Sequence, residues 1–135
     1  NTIAVTSDGQ FVFIRQYRHG LQQTSYELCA GVCEKEDASP LASAQRELLE
    51  ETGYGNGSWQ EYMQISPNPS THTNITYCFL ATGVEKISEQ HLEDTESLSV
   101  HLLTLAEVKE LLQKGEIKQA LMAAPLWKYI AEKGL

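Results

Sequence analysis

The apolar positions along this chain follow two periods, which predict strands in its first two thirds and helices between and after them. In the strand-like segments apolar residues alternate with polar ones, and many are β-branched or aromatic. Stretches rich in Gly, Ser, Pro and Asn separate these segments and are typical of turns and loops. Six strands are predicted, at residues 2–6, 11–15, 26–31, 59–65, 75–81 and 98–103.

Helix-boundary signals mark three further segments. Ser39 followed by Pro40 combines a capping side chain with a proline at the first helical position, and Gly53 is typical of a helix end. Two more helices are predicted, at residues 105–113 and 116–133. Pro125 lies inside the last of them and is expected to kink or break it, because proline lacks a backbone N–H. The pattern favours an α+β protein, with a mixed β-sheet flanked by helices.

The length of the chain bounds its organisation. With 135 residues there is room for one substantial core, so residues 1–135 are predicted to form a single domain. The sequence begins without a methionine and opens directly on a predicted strand. This abrupt start predicts that upstream residues are missing.

Charge and cysteine usage narrow the partners and the compartment. A net charge of −8 argues against nucleic acid, because binding phosphates electrostatically needs a basic face. No run of about 18 apolar residues and no export signal is visible, so neither a membrane-spanning nor an exported protein is predicted. The cysteines are odd in number, and Cys29-x3-Cys33 is not the usual zinc spacing. Reduced thiols in a cytoplasmic protein are therefore expected.

The first predicted helix carries three glutamates on one face. Glu47, Glu50 and Glu51 lie at i, i+3 and i+4, so a helix brings their carboxylates together. The apolar stripe that includes Leu41 and Leu48 is expected to be buried on the opposite side. Two unit charges about 6 Å apart repel by roughly 0.7 kcal/mol in water and by roughly 3 kcal/mol at an effective dielectric of about 20. Charge repulsion alone therefore does not decide what this face does.

The predicted helix contains a single basic side chain, Arg46. An arginine four residues before a glutamate, as Arg46 is before Glu50, is the weaker orientation for an ion pair. The glutamates therefore favour a divalent cation such as Mg²⁺ or Mn²⁺, which binds carboxylate oxygens. For three glutamates alone, the alternative is a solvated acidic helix face.

The longer string around the glutamates is more specific. It resembles the Nudix signature G-x5-E-x7-R-E-U-x-E-E-x-G-U, in which U is a bulky apolar residue, and the match is complete from Arg46 to Tyr54. Fourteen residues separate Gly31 from Arg46, one more than in the signature, so its first glutamate corresponds either to Glu36 or to Asp37. The resemblance implies a Nudix-type α/β/α sandwich, in which a mixed sheet lies between helices.

The resemblance also implies a metal site. In that family the corresponding glutamates ligate Mg²⁺ or Mn²⁺, assisted by a backbone carbonyl near the signature glycine. The implied ligands here are Glu47, Glu50, Glu51 and the carbonyl of Ala30, and Glu50 and Glu51 are also expected to be catalytic. Cleaving a phosphoanhydride needs neutralised phosphate charge, a positioned water and a base. Metal held by these ligands would meet the first need.

The base is expected from a second acidic patch, in the loop before the last predicted strand. The resemblance to the ADP-ribose branch of the family implies that an acidic residue there completes the metal site or activates water. Glu96 is the first choice as a further metal ligand, because it lies just before the strand, and Asp94 or Glu93 is then the base. All three are predicted to be catalytic residues. The alternative is that this loop is only solvated.

Two more runs resemble those of ADP-ribose pyrophosphatases. Residues 15–18 match their R-Q-Y-R run, and residues 27–31 resemble their E-L-P-A-G run with Cys29 in place of the proline. The resemblance implies hydrolysis of ADP-ribose to AMP and ribose 5-phosphate, and the alternative is GDP-mannose or another nucleoside diphosphate sugar. The predicted substrate-binding residues are Arg15, Tyr17, Arg18, Glu27 and His72.

Two classes of function are consistent with these patterns. One is a metal-dependent hydrolase, favoured because all three helix glutamates are present. The other is a ligand-sensing domain that keeps the fold without turnover, which the departure at Glu36 or Asp37 leaves open. The expected partner is a small nucleotide-sugar substrate. The resemblance to ADP-ribose enzymes also implies an N-terminal strand region, missing upstream of this sequence, through which two copies would form a homodimer.

Overall fold

The computed structural model describes residues 1–18, 20, 22–92 and 98–134. Within them, seven strands form a mixed sheet: β1 Thr2–Thr6, β2 Phe11–Arg18, β3 Gln23–Glu27, β4 Tyr54–Gly55, β5 Ser58–Ile65, β6 Thr76–Lys86 and β7 Leu98–Leu103. The helices of the described residues are α1 Pro40–Thr52, α2 Leu105–Gln113 and α3 Ala120–Glu132. None of these helices is long and apolar enough to cross a membrane.

The strand order is β3-β2-β1-β6-β4, with β7 also paired to β2 and β5 also paired to β6. Strands β1 and β6 run parallel, and the remaining named pairs are antiparallel. In the parallel pair, Ile3 is opposite Leu80 and Ala4 is opposite Ala81. The predicted mixed sheet flanked by helices is therefore confirmed.

The sheet has a core on each face, because side chains of a strand alternate between faces. On one face lies the larger cluster, which packs against α2 and α3 and includes Phe11, Phe13, Leu80, Val108, Met122 and Leu126. On the other face lies a smaller cluster, which packs against α1 and consists of Ala4, Val12, Cys29, Leu48, Ala81 and Val84. The helices on both faces make the molecule an α/β/α sandwich.

Some strand boundaries differ from the prediction. Strand β3 covers Gln23–Glu27 rather than residues 26–31, because the chain leaves the sheet after Glu27 and keeps only an isolated bridge between Cys29 and Thr2. Strand β6 continues to Lys86, five residues beyond the predicted end at residue 81. The short strand β4 was not predicted.

The helix was predicted to kink or break at Pro125, and it does not break there, because α3 continues through this residue. The helix also begins at Ala120 rather than at residue 116. Proline has no N–H to donate to the carbonyl four residues earlier, which belongs to Leu121. That carbonyl accepts a hydrogen bond from Asn1 Nδ2 at 2.8 Å instead. The side chain of Asn1, directly before the central strand β1, thus replaces the missing helical donor.

Candidate active site

Helix α1 begins and ends where the sequence predicts. Ser39 Oγ accepts a hydrogen bond from the backbone N–H of Ala42 at 3.1 Å, and Pro40 is the first helical residue. Gly53 ends the helix with a φ of 77°, and its N–H donates to the carbonyl of Leu49 at 2.8 Å. A Cβ at Gly53 would also collide with the carbonyl oxygen of Ser88. Both the left-handed backbone and this close approach require glycine.

The environment of the helix differs from the prediction at two positions. Leu41 is exposed rather than part of a buried stripe, while Leu48 is buried as predicted. Glu51, which the pattern places with Glu47 and Glu50 opposite the buried stripe, is itself only 8% exposed. The burial has a geometric cause, because residues 48, 51 and 52 of the helix turn toward the sheet.

Arg46 organises the acidic groups around the start of the site. Its Nε and Nη2 pair with the two carboxylate oxygens of Asp37 at 2.9 and 3.0 Å. Its Nη1 lies 3.0 Å from Glu47 Oε1 and 3.2 Å from Glu50 Oε2. The hydrogen bonds from Arg46 are the main cause that lowers the pKa of Asp37 to about 2. Two parallel N–H···O bonds of this kind fix orientation as well as charge.

This geometry resolves the position of the first acidic residue of the signature. Asp37 pairs with Arg46, whereas Glu36 is exposed. Five residues separate Gly31 from Asp37, as in the signature, so the additional residue lies between Asp37 and Arg46. With Asp37 in this role, the additional residue lies among residues 38–45, and the Asp37 carboxylate still reaches the arginine.

Glu47 is seated against the backbone of Gly31. A Cβ at residue 31 would lie 2.7 Å from Glu47 Oε1, so only glycine leaves this space to the carboxylate. Burial raises the pKa of Glu47, and the positive charge of Arg46 opposes that rise. The carbonyl of Ala30 belongs to the residue immediately before this contact. The predicted ligands Ala30 and Glu47 are therefore brought to one place.

Glu51 lies deeper than Glu47, beside a cysteine. The Sγ of Cys29 donates a hydrogen bond to Glu51 Oε2 at 3.1 Å. Burial, and then the charge of Glu51, raise the pKa of the Cys29 thiol, which therefore holds its proton and acts as the donor. Glu50 is more open, with its side chain 44% exposed. The three glutamates thus lie in three different environments rather than on one uniform face.

The donor set fits a hard divalent cation. Carboxylate oxygens, with a backbone carbonyl at hand, are the ligands that Mg²⁺ and Mn²⁺ prefer, and the space that Gly31 leaves holds one of these carboxylates in position. In the described part of the chain, however, no three His, Cys, Asp or Glu side chains are already grouped around a cation position. Arg46 Nη1 instead contacts both Glu47 and Glu50. A cation shared by these two glutamates has to displace those ion pairs, while the Asp37 pair can persist.

A cavity of about 330 Å³ adjoins Glu47. Its walls are the loop after β3, the first half of α1 and the start of β6, and they include Gly31, Val32, Pro40, Ala44, Ile75 and Tyr77. Val32 is 80% exposed and Ile75 is 46% exposed, so apolar side chains form part of the open rim. The sequence did not predict Val32 and Ile75 as part of the site. The one available signal was the position of Val32, directly after the signature glycine.

The predicted substrate-binding residues are not brought together. Arg15 and Tyr17 follow Phe11 and Phe13 at two-residue intervals on β2, which places them on the sheet face opposite α1. Arg15 lies over the ring of Tyr26, 5.2 Å from its centroid, beside a separate cavity of about 320 Å³ that Glu116 and Lys118 also line. Neither Arg15 nor Tyr17 lines the cavity at Glu47.

The other three predicted contacts lie at separate places. Glu27 is buried at the end of β3, and His72 is exposed in the loop before β6, where its Nδ1 lies 2.7 Å from Thr71 Oγ1. Neither lines the cavity at Glu47. Arg18 ends β2 opposite Gln23, and its side chain is outside the described part of the structure.

Glu93, Asp94 and Glu96 lie outside the described residues. The chain that leads to them is described up to residue 92, and it follows the C-terminal half of α1. His91 N–H donates to the Glu50 carbonyl at 2.7 Å, and Gln90 Nε2 donates to the Glu51 carbonyl at 2.7 Å. The acidic segment therefore starts two residues after a direct contact with the glutamate helix.

Comparison with known proteins identifies the family. The NUDIX domain matches residues 1–124. The ADP-ribose pyrophosphatase of Bacillus subtilis is 31% identical over 119 residues, covering 87% of this chain and 64% of that protein. A GDP-mannose pyrophosphatase of Klebsiella pneumoniae is 26% identical over 111 residues, covering 81% of this chain and 54% of that protein. The chain thus spans less than two thirds of the length of these relatives.

A solved structure supports the fold. The crystal structure of an ADP compounds hydrolase matches 98% of this chain and 72% of its own length, with a TM-score of 0.81 and 20% sequence identity. The matching architecture, the signature from Gly31 to Tyr54 and the family match over residues 1–124 agree with one another. This chain belongs to the Nudix family.

Proposed function

We propose that the protein is a divalent-metal-dependent hydrolase that cleaves the pyrophosphate of a nucleoside diphosphate linked to a sugar, with ADP-ribose as the first candidate. The observation that carries this proposal is the Glu47 carboxylate, seated against Gly31 at the edge of a cavity of about 330 Å³, with Glu50 and Glu51 on the same helix. The similarity to the Bacillus subtilis ADP-ribose pyrophosphatase supports the choice of substrate.

In this proposal Glu47, Glu50, Glu51 and the Ala30 carbonyl would hold Mg²⁺ or Mn²⁺, with Glu96 as a further ligand. The bound metal would neutralise phosphate charge and make water easier to deprotonate. Gly31 leaves room for the Glu47 carboxylate, and Asp37 keeps Arg46 beside the helix. These residues hold the ligands in position before substrate arrives.

The proposed chemistry is a single displacement at phosphorus. A water oxygen forms a new bond to one phosphorus, the bond from that phosphorus to the bridging oxygen breaks, and AMP and ribose 5-phosphate are released. Asp94 or Glu93 takes the proton of the water, since carboxylates that hold a metal are poor proton acceptors. The cavity at Glu47 is proposed to receive the sugar phosphate or the nucleoside. Arg15, Tyr17, Glu27 and His72 do not line this cavity, so the proposal assigns them no contact within it.

Two alternatives are tested with the same proposal. The first alternative is that the substrate is GDP-mannose or another nucleoside diphosphate sugar, and the similarity to a GDP-mannose pyrophosphatase supports it. A domain that senses such a ligand without turnover would keep the cavity and the fold.

Cytoplasmic location and a homodimer are further parts of the proposal. Light scattering tests the homodimer, because it measures the mass of the protein in solution.

The deciding experiment is a substrate panel with Mg²⁺ that compares ADP-ribose with GDP-mannose. We expect release of AMP from ADP-ribose, abolished by chelation and restored by added metal. Release of GMP from GDP-mannose at a higher kcat/KM would transfer the assignment to that sugar nucleotide. Ligand binding by calorimetry without product formation at any metal concentration would instead favour sensing.

A further inference from the structure

We propose that Cys29 is a positioning residue for Glu51: its thiol, by donating to Oε2, holds the buried carboxylate in the orientation in which it binds metal. The inference rests on the proposed function. It concerns a residue that differs from the E-L-P-A-G run of ADP-ribose pyrophosphatases, where proline occupies this place. A proline there has no side-chain donor, so this contact belongs to the present sequence.

The geometry makes the thiol an effective partner. The Sγ of Cys29 lies 3.1 Å from Glu51 Oε2, within the usual reach of a sulfur donor, and the two residues are 2% and 8% exposed. A buried carboxylate is costly unless donors compensate for the lost water. A hydrogen bond to one oxygen both stabilises the charge and limits rotation of the carboxylate.

The backbone around Cys29 fixes where the thiol points. The Cys29 carbonyl accepts a hydrogen bond from the N–H of Thr2 at 3.0 Å, which anchors residue 29 to β1. Its side chain belongs to the cluster that packs against α1, together with Leu48. The next residue, Ala30, carries the proposed carbonyl ligand. One short segment therefore supplies a backbone ligand and orients a carboxylate ligand.

Outer contacts to metal ligands commonly affect affinity by about 10–100-fold. We expect Cys29→Ala to weaken Mn²⁺ binding, measured by calorimetry on the folded protein, by about tenfold. Cys29→Ser keeps a donor and should recover most of that loss. Cys78→Ala is the matched control, because Cys78 is also fully buried and its Sγ lies near the Leu121 carbonyl rather than near a glutamate.

A spectroscopic readout tests the hydrogen bond without metal. The infrared S–H stretching band of Cys29, assigned from the difference between wild type and Cys29→Ser, should move to higher frequency in Glu51→Gln, while the band of Cys78 stays in place. This measurement also decides the matter if Cys29→Ala does not fold. An unmoved Cys29 band, or a Cys29→Ala variant that binds Mn²⁺ as tightly as Cys78→Ala, overturns the inference and leaves the proposed function intact. Wild-type protein that binds no Mn²⁺ overturns both.

Discussion

On the sheet face that packs against α2 and α3, the buried cluster comprises thirteen apolar residues of the described chain, whereas the cluster under α1 comprises six. The α1 face also buries polar side chains, among them Ser43, Glu51 and Thr52. Apolar burial contributes stability in proportion to area, while buried polar groups contribute little net stability. The comparison indicates that one face mainly stabilises the fold and that the other mainly holds the proposed metal ligands.

Glu51→Gln is the strongest test of the sheet face that packs against α1. We expect kcat to fall by about a thousandfold, because charge stabilisation by bound metal is worth several kcal/mol. The free energy of unfolding should change by less than about 1 kcal/mol, since glutamine keeps the size of the side chain, its amide oxygen can still accept from the Cys29 thiol, and a buried charge is removed. Steady-state kinetics and a urea melt measure the two effects. A variant that unfolds, with wild-type activity per folded molecule, would make Glu51 a structural residue.

Phe13→Ala tests the stabilising face. Phe13 is fully buried in the larger cluster, so its truncation should lower the free energy of unfolding by about 3–5 kcal/mol. Activity per folded molecule should remain near that of the wild type. Trp127→Ala is the control, because Trp127 is 44% exposed and should matter little. A large loss of activity per folded molecule in Phe13→Ala would contradict the division between the faces.

Gly31→Ala tests the position of the Glu47 carboxylate separately from the stability of the fold. The new methyl group would occupy the space of the Glu47 carboxylate, which can swing away without moving the backbone. We expect stability within about 0.5 kcal/mol of the wild type and a loss of about a hundredfold in kcat/KM, from a misplaced ligand. Gly20→Ala is the control, since a Cβ there meets nothing within 4 Å. Unchanged kinetics in Gly31→Ala would remove Glu47 from the proposed site.

The smallest expected effect concerns pH. Because pairing with Arg46 lowers the pKa of Asp37 to about 2, the pair adds stability that is fully present above the unfolded value of about 3.9. That stability is lost as the pH falls from about 4 through 2. Asp37→Asn should therefore flatten the pH dependence of the melting temperature in this window, whereas Glu36→Gln should not. Identical profiles for wild type and Asp37→Asn would show that the pair is not thermodynamically significant.

The sequence predicted best what is decided locally. The bounds of α1 follow from Ser39, Pro40 and Gly53. The predicted start of α2 at residue 105 is likewise a local feature, because the side chain of Thr104 accepts from the Glu107 N–H at 3.2 Å. Caps of this kind act over three or four residues and are therefore visible in sequence.

What the sequence did not predict depends on tertiary contacts. The burial of Glu51 and the exposure of Leu41 depend on how α1 lies on the sheet, which a helical period alone leaves undetermined. The cavity at Glu47 forms between three segments that are distant in sequence. Arg15 and Tyr17 were grouped with the site through a sequence run, although the alternation of β2 directs them to the other face.

The contact that replaces the missing donor at Pro125 has a consequence for the order of folding. Asn1 and Leu121 lie 120 positions apart, and the entropy cost of closing a loop grows with the logarithm of its length. We therefore expect the Asn1–Leu121 bond to form after α3 and the β1–β6 pair have formed. Interactions absent from the folding transition state act mainly on the rate of unfolding. Asn1→Ala is therefore expected to speed the separation of α3 from the sheet, measured as the rate of unfolding, and to leave the rate of folding nearly unchanged.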